Sequence, residues 1–175
     1  MYNKILQEEE LNHTSKLGRK QRGELAELAF MRKAATLGFA VAKPWGDSDP
    51  YDVIVRYQKT FWRVQVKSVL ALKPSRPHFV VHTENTAGKA YSSDDVDFLV
   101  AYIFPRDLWY VFPAHVFEEK KSLCVKPGSK KSRLEQYREN WDLMRSPGVQ
   151  PVPSPRMPPP QEEAGAESAL PPSGT

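Results

Sequence analysis

The residues best suited to chemistry in this chain are Asp52, Gln65 and Lys67, which supply a carboxylate, an amide and an ammonium group. They lie in two runs rich in β-branched and aromatic residues, 51–57 and 61–67, which are separated by a short polar segment. Two such runs around a polar turn predict a β-hairpin. The hairpin would bring the three polar side chains to one end of an otherwise apolar element.

The expected strand pairing defines this cluster more closely. If the hairpin folds about the middle of its turn, antiparallel pairing places Asp52 opposite Val66. Because side chains alternate along a strand, Gln65 and Lys67 should then share one face, while Val64 and Val66 share the other. The sequence therefore predicts that Asp52 lies beside Gln65 and Lys67.

An oxygen-rich cluster with a lysine suits metal-dependent hydrolysis of a phosphodiester. Hard divalent cations prefer oxygen ligands, which Asp52 and Gln65 would supply. Such a cation polarises the phosphate and lowers the pKa of a bound water molecule. Lys67 could stabilise charge on the phosphate or orient the attacking water. The residues alone leave an alternative open, in which the polar side chains at the hairpin end simply face solvent.

A helix is predicted before the hairpin, from Thr14 or Ser15, either of which could cap it, to about residue 37. Its apolar residues recur at helical spacing. Glu27 borders this apolar face, where a carboxylate needs a partner or a metal to offset its desolvation, although the residues alone favour a structural role. Basic residues on the first half of the helix suit either a solvated face or a phosphate-contacting face: Lys16, Arg19, Lys20 and Arg22.

The remaining elements complete one α/β domain. Residues 96–104 form the most apolar run and are predicted to be a central strand that is buried on both faces. Further strands are predicted at residues 39–45, 78–83 and 108–112. A last helix is predicted from an apolar stripe that comprises Leu134, Tyr137, Trp141 and Met144. Other basic residues expected to contact nucleic acid are Lys89, Lys130 and Lys131.

Length and charge set the domain organisation. The chain has 175 residues, of which 40% are hydrophobic, and this favours a single domain with a proper core at residues 14–145. Residues 1–13 are predicted to be a polar arm. Residues 146–175 are rich in Pro, Ser and Glu, and are predicted to be a disordered tail. The net charge of the chain is +4, and the net charge of the predicted tail is −2. The residues before the tail are therefore basic enough to suit a polyanionic partner.

Several other classes of protein are disfavoured. The chain has one cysteine, which excludes an intrachain disulfide, and no apolar run long enough to span a bilayer, so a cytoplasmic location without a membrane partner is expected. The four histidines lack zinc-site spacing. A Gly-rich phosphate loop and a serine nucleophile elbow are also missing from the sequence.

The hairpin residues resemble a known motif. Asp49-Pro50-Tyr51-Asp52, followed by Gln65-Val66-Lys67, resembles the split motif of the PD-(D/E)xK nuclease superfamily. The upstream segment 23–27 (GELAE) is similar to the one that carries the first-helix glutamate of that group. The similarity is greatest to group I intron-associated endonucleases and extends over roughly residues 22–145. It includes residues 43–46, 63–68, 91–97, 108–110 and 137–141.

The resemblance implies a role for each site residue. Asp52 would be the principal metal ligand, Gln65 the second, and the backbone oxygen of Val66 a third. Glu27 would reach the metal directly or through water, and Lys67 would act on the nucleophilic water. The sequence departs from the superfamily pattern because Gln65 replaces the usual acidic residue, as it does in the intron-associated branch. In addition, the proline lies two residues before Asp52 rather than immediately before it.

The sequence as a whole predicts a restriction-endonuclease-like α/β fold with a mixed central β-sheet flanked by helices. The expected function is Mg²⁺-dependent cleavage of double-stranded DNA, with Mn²⁺ as a possible substitute, by an intron-associated homing endonuclease. The protein is expected to self-associate as a homo-oligomer and to join the nucleoid when it is bound to DNA. The alternatives are a Holliday junction resolvase-like nuclease and a non-catalytic DNA-binding module on the same scaffold.

Overall fold

A mixed five-stranded sheet organises the computed structural model, which describes residues 9, 11–46, 48–70 and 78–145. The strand order is β1-β2-β3-β5-β6, and β4 pairs with β7 in a separate two-stranded sheet. The strands are β1 (Ala40–Ala42), β2 (Val53–Tyr57), β3 (Thr60–Val69), β4 (Phe79–His82), β5 (Phe98–Ile103), β6 (Leu108–Pro113) and β7 (Ser122–Val125). The α-helices are α1 (residues 11–16), α2 (Arg19–Thr36) and α3 (Ala114–Phe117). Three 3-10 turns lie at Phe104–Arg106, Arg133–Tyr137 and Trp141–Met144.

The predicted hairpin is formed by β2 and β3, but its register differs by one residue from the prediction. Val53 pairs with Val64, and Tyr57 pairs with Thr60, so the turn has only two residues. Its first residue, Gln58, has a φ of 54°, which suits the twist of a two-residue hairpin turn. The ladder ends at Val53, and Asp52 is therefore not paired with Val66 as predicted.

The predicted central strand is confirmed as β5. It runs parallel to β3, with Val64 beside Phe98, and antiparallel to β6. Five of its six residues are buried, because it has a strand on each edge and packed layers on both faces. The mixed sheet and the flanking helices confirm the predicted fold class.

Two hydrophobic cores enclose the sheet. On one face, α2 buries Ala26, Phe30 and Ala34 against a cluster that includes Val64 and Val66. On the other face, β4, β7 and α3 contribute to a second cluster with Val69, Leu99 and Ala101. The alternation predicted for β3 is confirmed, because Val64 and Val66 face the α2 layer while Gln65 and Lys67 point to the other face.

The two predicted helices differ most from the observed structure. The first is two helices rather than one, because the chain breaks at Leu17 and Gly18, and Gly18 has extended backbone dihedrals at the start of α2. The predicted C-terminal helix is a pair of 3-10 turns, separated where Glu139 adopts a φ of 50°. The predicted apolar stripe is therefore divided between the two hydrophobic cores. Trp141 packs in the core on the α2 face of the sheet, and Tyr137 packs against the core on the opposite face.

The other predicted strands differ mainly in extent. The strand predicted at residues 39–45 contains only three residues, and β4 contains four. Strand β7 is a short segment that the sequence pattern did not reveal. The predicted tail, 146–175, and most of the predicted N-terminal arm lie outside the described residues, although residues 9 and 11–13 are helical. In the part of the chain that the structure describes, none of the helices is both long and apolar enough to cross a membrane.

Arg145 anchors the last described residues to the segment that follows α2. Its guanidinium donates to the Leu37 carbonyl at 2.7 Å and lies 5.3 Å from the Phe39 ring centroid. The indole of Trp62 donates to the Met144 carbonyl at 2.9 Å, and this bond ties the last 3-10 turn to the hairpin. These contacts tie the last described residues to the core, and the domain boundary at residue 145 stays a prediction.

We expect a chain that ends at Arg145 to unfold within ~2 °C of the full chain, because the deleted residues have a composition unsuited to a core. A chain that ends at Asn140 should lose several kcal/mol of unfolding free energy, since a large buried apolar side chain is worth ~3–5 kcal/mol. Urea unfolding followed by circular dichroism compares the two. Equal stability of both truncated chains would contradict the assigned boundary.

Candidate active site

The Asp52 carboxylate lies where the β2–β3 ladder ends. Its Oδ2 accepts a hydrogen bond from the Val66 backbone N–H at 2.8 Å and another from the Gln65 side-chain amide at 2.5 Å. The Gln65 side chain is buried, and its amide nitrogen also lies 3.3 Å from the Val66 carbonyl oxygen. The structure therefore brings Asp52, Gln65 and Val66 together at one point of the hairpin.

Burial dominates the electrostatics of Asp52. Desolvation raises its pKa from 3.8 to about 6, and the nearby Glu27 carboxylate raises the pKa as well. The Val66 N–H, Lys67 and Lys43 act in the opposite direction but do not cancel the effect of burial. The ionised carboxylate is thus incompletely compensated, and a bound cation would supply the missing positive charge.

Glu27 reaches this cluster from α2 and has a lysine partner. Its Oε2 is 2.7 Å from the Lys43 ammonium group, which follows β1. Only 17% of the Glu27 side chain is exposed. A carboxylate buried to this extent was expected to need a partner, and Lys43 is that partner. Lys43 was not predicted as a site residue. Segment 43–46 is part of the resemblance, but the contact of Lys43 with Glu27 follows from the packing of β1 beside α2, which the sequence did not reveal.

Lys67 extends into the space beside Asp52 and is held by groups from the β4–β5 connection. Its Nζ donates to the Glu84 carbonyl oxygen at 3.2 Å and to the Tyr91 hydroxyl at 3.4 Å. It also lies 4.9 Å from the centroid of the Tyr91 ring, which is a cation–π contact. Burial lowers the pKa of Lys67, while Asp52 and Glu84 oppose that effect.

Tyr91 is the second residue that the sequence did not single out for the site. It is buried, and desolvation raises its pKa to about 12, so the phenol stays neutral at physiological pH. It can therefore accept a hydrogen bond from Lys67 without carrying a charge of its own. Segment 91–97 is part of the resemblance, but the resemblance assigned Tyr91 no role, and its contact with Lys67 depends on a loop that is distant in sequence.

The loop that carries Tyr91 is anchored to β3 by Arg63 and Asp97. The Arg63 backbone N–H and Nε donate to Asp97 Oδ2 at 2.7 and 3.2 Å, and its terminal nitrogen donates to Oδ1 at 2.9 Å. The guanidinium also donates to the carbonyl groups of Ser93 and Asp94. The hydrogen bond to Asp97 raises the pKa of Arg63. This bidentate ion pair fixes the start of β5 relative to β3, the strand that carries Gln65 and Lys67.

The available donors fit a hard divalent cation. Carboxylate, amide and carbonyl oxygens are the ligands that Mg²⁺ and Mn²⁺ prefer, and Asp52, Glu27, Gln65 and Val66 offer all three kinds. Within the described ranges, no group of three or more His, Cys, Asp and Glu side chains is arranged to hold a metal. A metal site here would therefore use an amide and a backbone oxygen in addition to two carboxylates.

The predicted nucleic-acid contacts are dispersed over the surface. Lys16, Arg19 and Lys20 are exposed around the junction of α1 and α2, whereas Arg22 is half-buried and donates to the Leu17 carbonyl at 2.5 Å. The other members of the predicted set, all exposed, are Lys89, Lys130 and Lys131. Arg22 thus has a structural contact, and phosphate binding by the set stays a prediction.

The raised pKa of Asp52 makes a testable prediction about stability in metal-free buffer. Because the folded pKa of about 6 exceeds 3.8, ionisation of Asp52 progressively opposes folding as the pH rises from about 4 to about 6; the loss is complete above pH 6 and absent well below pH 4. Asp52→Asn should therefore raise the unfolding free energy by about 2 kcal/mol at pH 8, after a discount for partial exposure.

Urea unfolding in EDTA at several pH values measures this difference. The gain should shrink as the pH falls from about 6 to about 4 and disappear well below pH 4. Asp49→Asn, which changes an exposed aspartate nearby, is the matched control and should show no such trend. A gain that is equal at all pH values would contradict the assigned charge burial.

Comparisons with known proteins identify the family of the chain. A family model described as PD-(D/E)XK endonuclease matches residues 17–144. The solved structure of a bacterial homing endonuclease, I-Ssp6803I, is similar with a TM-score of 0.68 and 29% identity, over 77% of this chain and 98% of that chain. The Archaeoglobus fulgidus Holliday junction resolvase Hjc has a TM-score of 0.40 and 17% identity, over 59% of this chain and 83% of that chain. None of the curated proteins compared with the chain matches it.

The family match covers well over half of the sequence and includes every residue of the cluster around Asp52. The resemblance inferred from the split motif is therefore confirmed. The chain belongs to the PD-(D/E)XK endonuclease family.

Proposed function

We propose that this protein is a Mg²⁺-dependent endonuclease that hydrolyses phosphodiester bonds of double-stranded DNA, as an intron-associated homing endonuclease. The observation that carries the proposal is the convergence of Glu27, Asp52, Gln65 and Lys67 in a member of an endonuclease family. The similarity to a bacterial homing endonuclease supports the specific biological role.

The metal would be held by oxygen atoms from two elements. Asp52, the Gln65 amide oxygen and the Val66 carbonyl oxygen come from the hairpin, and Glu27 comes from α2, directly or through water. PD-(D/E)XK nucleases generally use divalent metals. When bound, such an ion polarises the scissile phosphate and lowers the pKa of a water molecule. Mn²⁺ has similar ligand preferences and should substitute for Mg²⁺.

The Lys67 ammonium supplies the positive charge that the chain itself contributes to the reaction. The Glu84 carbonyl and the Tyr91 side chain fix its Nζ on the side of β3 that carries Gln65. A cation fixed in this way stabilises negative charge that develops on the phosphate, or orients the attacking water, without reorganisation during the reaction. Tyr91 is a positioning residue in this scheme.

Cleavage of both strands at one locus commonly uses two active sites, which favours a homo-oligomer. The exposed basic residues around α1 and α2 suit phosphate contacts that hold the duplex. A chromosomal DNA substrate places the protein in the cytoplasm and, when it is bound, at the nucleoid.

We expect Asp52→Ala and Lys67→Ala each to abolish cleavage while DNA binding persists. Loss of metal binding or of charge stabilisation removes several kcal/mol from the transition state, and each ~1.4 kcal/mol is about tenfold in rate. The assay uses the DNA that flanks the gene, with Mg²⁺ or with EDTA, and a four-way junction as a second substrate. Lys59→Ala, at the exposed turn of the same hairpin, is the control that should remain active. Full activity of either site variant would overturn the assignment.

Gln65 allows a more specific prediction, because its amide oxygen has no net charge. Gln65→Ala should weaken metal binding and sharply reduce cleavage. Gln65→Glu keeps the side-chain length and an oxygen ligand but adds a negative charge, so it should lower the Mg²⁺ concentration required. Repulsion from Asp52, Glu27 and the phosphate should reduce its maximal rate.

Cleavage rates measured against Mg²⁺ concentration distinguish these cases. The wild-type, alanine and glutamate proteins should give three separate curves. Superimposable curves would show that Gln65 lies outside the functional site.

A further inference from the structure

Trp45 is the one tryptophan of the chain that contributes nothing to either core. Its relative exposure is 101%, whereas the other three tryptophans are 1–5% exposed: Trp62, Trp109 and Trp141. The indole lies between Pro44, whose ring fixes φ, and Gly46, which adopts a φ of 78°. The chain therefore presents this large apolar side chain to solvent, outside both cores.

The position of Trp45 links it to the catalytic cluster. It lies two residues after Lys43, whose ammonium group is 2.7 Å from Glu27. The segment that it belongs to ends at Asp52, so both ends of the segment are fixed in the cluster. Two residues of extended chain and one lysine side chain place the Trp45 backbone within roughly 15 Å of the Glu27 carboxylate. That distance corresponds to about four nucleotides along one strand of B-DNA.

The chemistry of the segment favours contact with bases rather than with phosphates. An indole can stack on any base, and apolar side chains also insert between base steps in the minor groove. The neighbouring Asp49 is exposed and negatively charged, which disfavours a phosphate at that point. A second protein chain on Trp45 would lie next to the catalytic cluster and compete with the substrate for access to it. A nucleic acid base is therefore the occupant that suits the site.

We propose that Trp45 is a substrate-positioning residue that contacts a base of the DNA duplex within a few nucleotides of the scissile phosphate. By stacking on a base or inserting beside it, the indole would fix where along the strand the phosphate meets Asp52 and Lys67. This inference rests on the proposed function, since it requires DNA to bind across the cluster.

Acrylamide quenching of intrinsic fluorescence tests the contact directly, because Trp45 is the accessible tryptophan. Free protein should show one readily quenched component, which Trp45→Phe removes. Addition of a short mixed-sequence duplex in EDTA should reduce the quenching of this component at least twofold. Unchanged quenching at saturating duplex would overturn the proposal, as would protection that grows with protein concentration in the absence of DNA.

Affinity for the same duplex provides the second measurement. Trp45→Ala should weaken binding by about fivefold or more, the effect expected from loss of one stacked base. Trp45→Phe should retain most of the affinity, and both variants should keep the thermal stability of the wild type. The matched control is Phe61→Ala, which should bind normally. It removes an aromatic side chain that is 59% exposed and lies near the hairpin turn.

The two proposals fail in different ways. If wild-type protein binds and cleaves DNA while Trp45→Ala matches it within twofold, the role of Trp45 is wrong and the nuclease assignment stands. If wild-type protein neither binds the duplex nor cleaves any DNA, the proposed function fails and this inference fails with it.

Discussion

The active site depends on the placement of one carboxylate, Asp52, largely out of water at the end of a hairpin. Two neutral donors, the Val66 N–H and the Gln65 amide, hold it in position without cancelling its charge. The surrounding residues reflect this constraint, because Lys67 and Lys43 both approach and partly offset the negative potential. The arrangement favours cation binding over intrinsic stability, which is common where function requires concentrated charge.

A second ion pair gives this cluster its rigidity. Arg63 and Asp97 connect β3 to the start of β5 through several hydrogen bonds, and both side chains are at least partly buried. Arg63 shares its strand face with Gln65 and Lys67, so one strand carries both the framework and the chemistry. The same guanidinium holds the backbone at Ser93, near Tyr91, and thereby fixes the group that orients Lys67.

Local pattern was sufficient to predict the hairpin, the buried central strand and the Asp52, Gln65 and Lys67 cluster. These features depend on alternation and turn composition over short distances. The register was missed by one residue because Gln58 adopts a left-handed conformation that the sequence does not mark. Lys43 and Tyr91 were missed because their roles arise from tertiary contacts. The prediction of the last helix was wrong because Trp141 and Tyr137 pack in different cores, whereas helical periodicity places them on one face.

The parallel pairing of β3 with β5 has a consequence for the order of folding. The hairpin that joins Asp52 to Gln65 is local in sequence and can form early, whereas Val64 meets Phe98 only after a long intervening segment has been arranged. Until then, β3 has an open edge and Lys67 lacks its contacts with Glu84 and Tyr91. In the proposed mechanism, the metal ligands of the hairpin can thus be in place on a nascent chain before the lysine is. By that mechanism, a chain that is still being synthesised would bind a cation before it could cut.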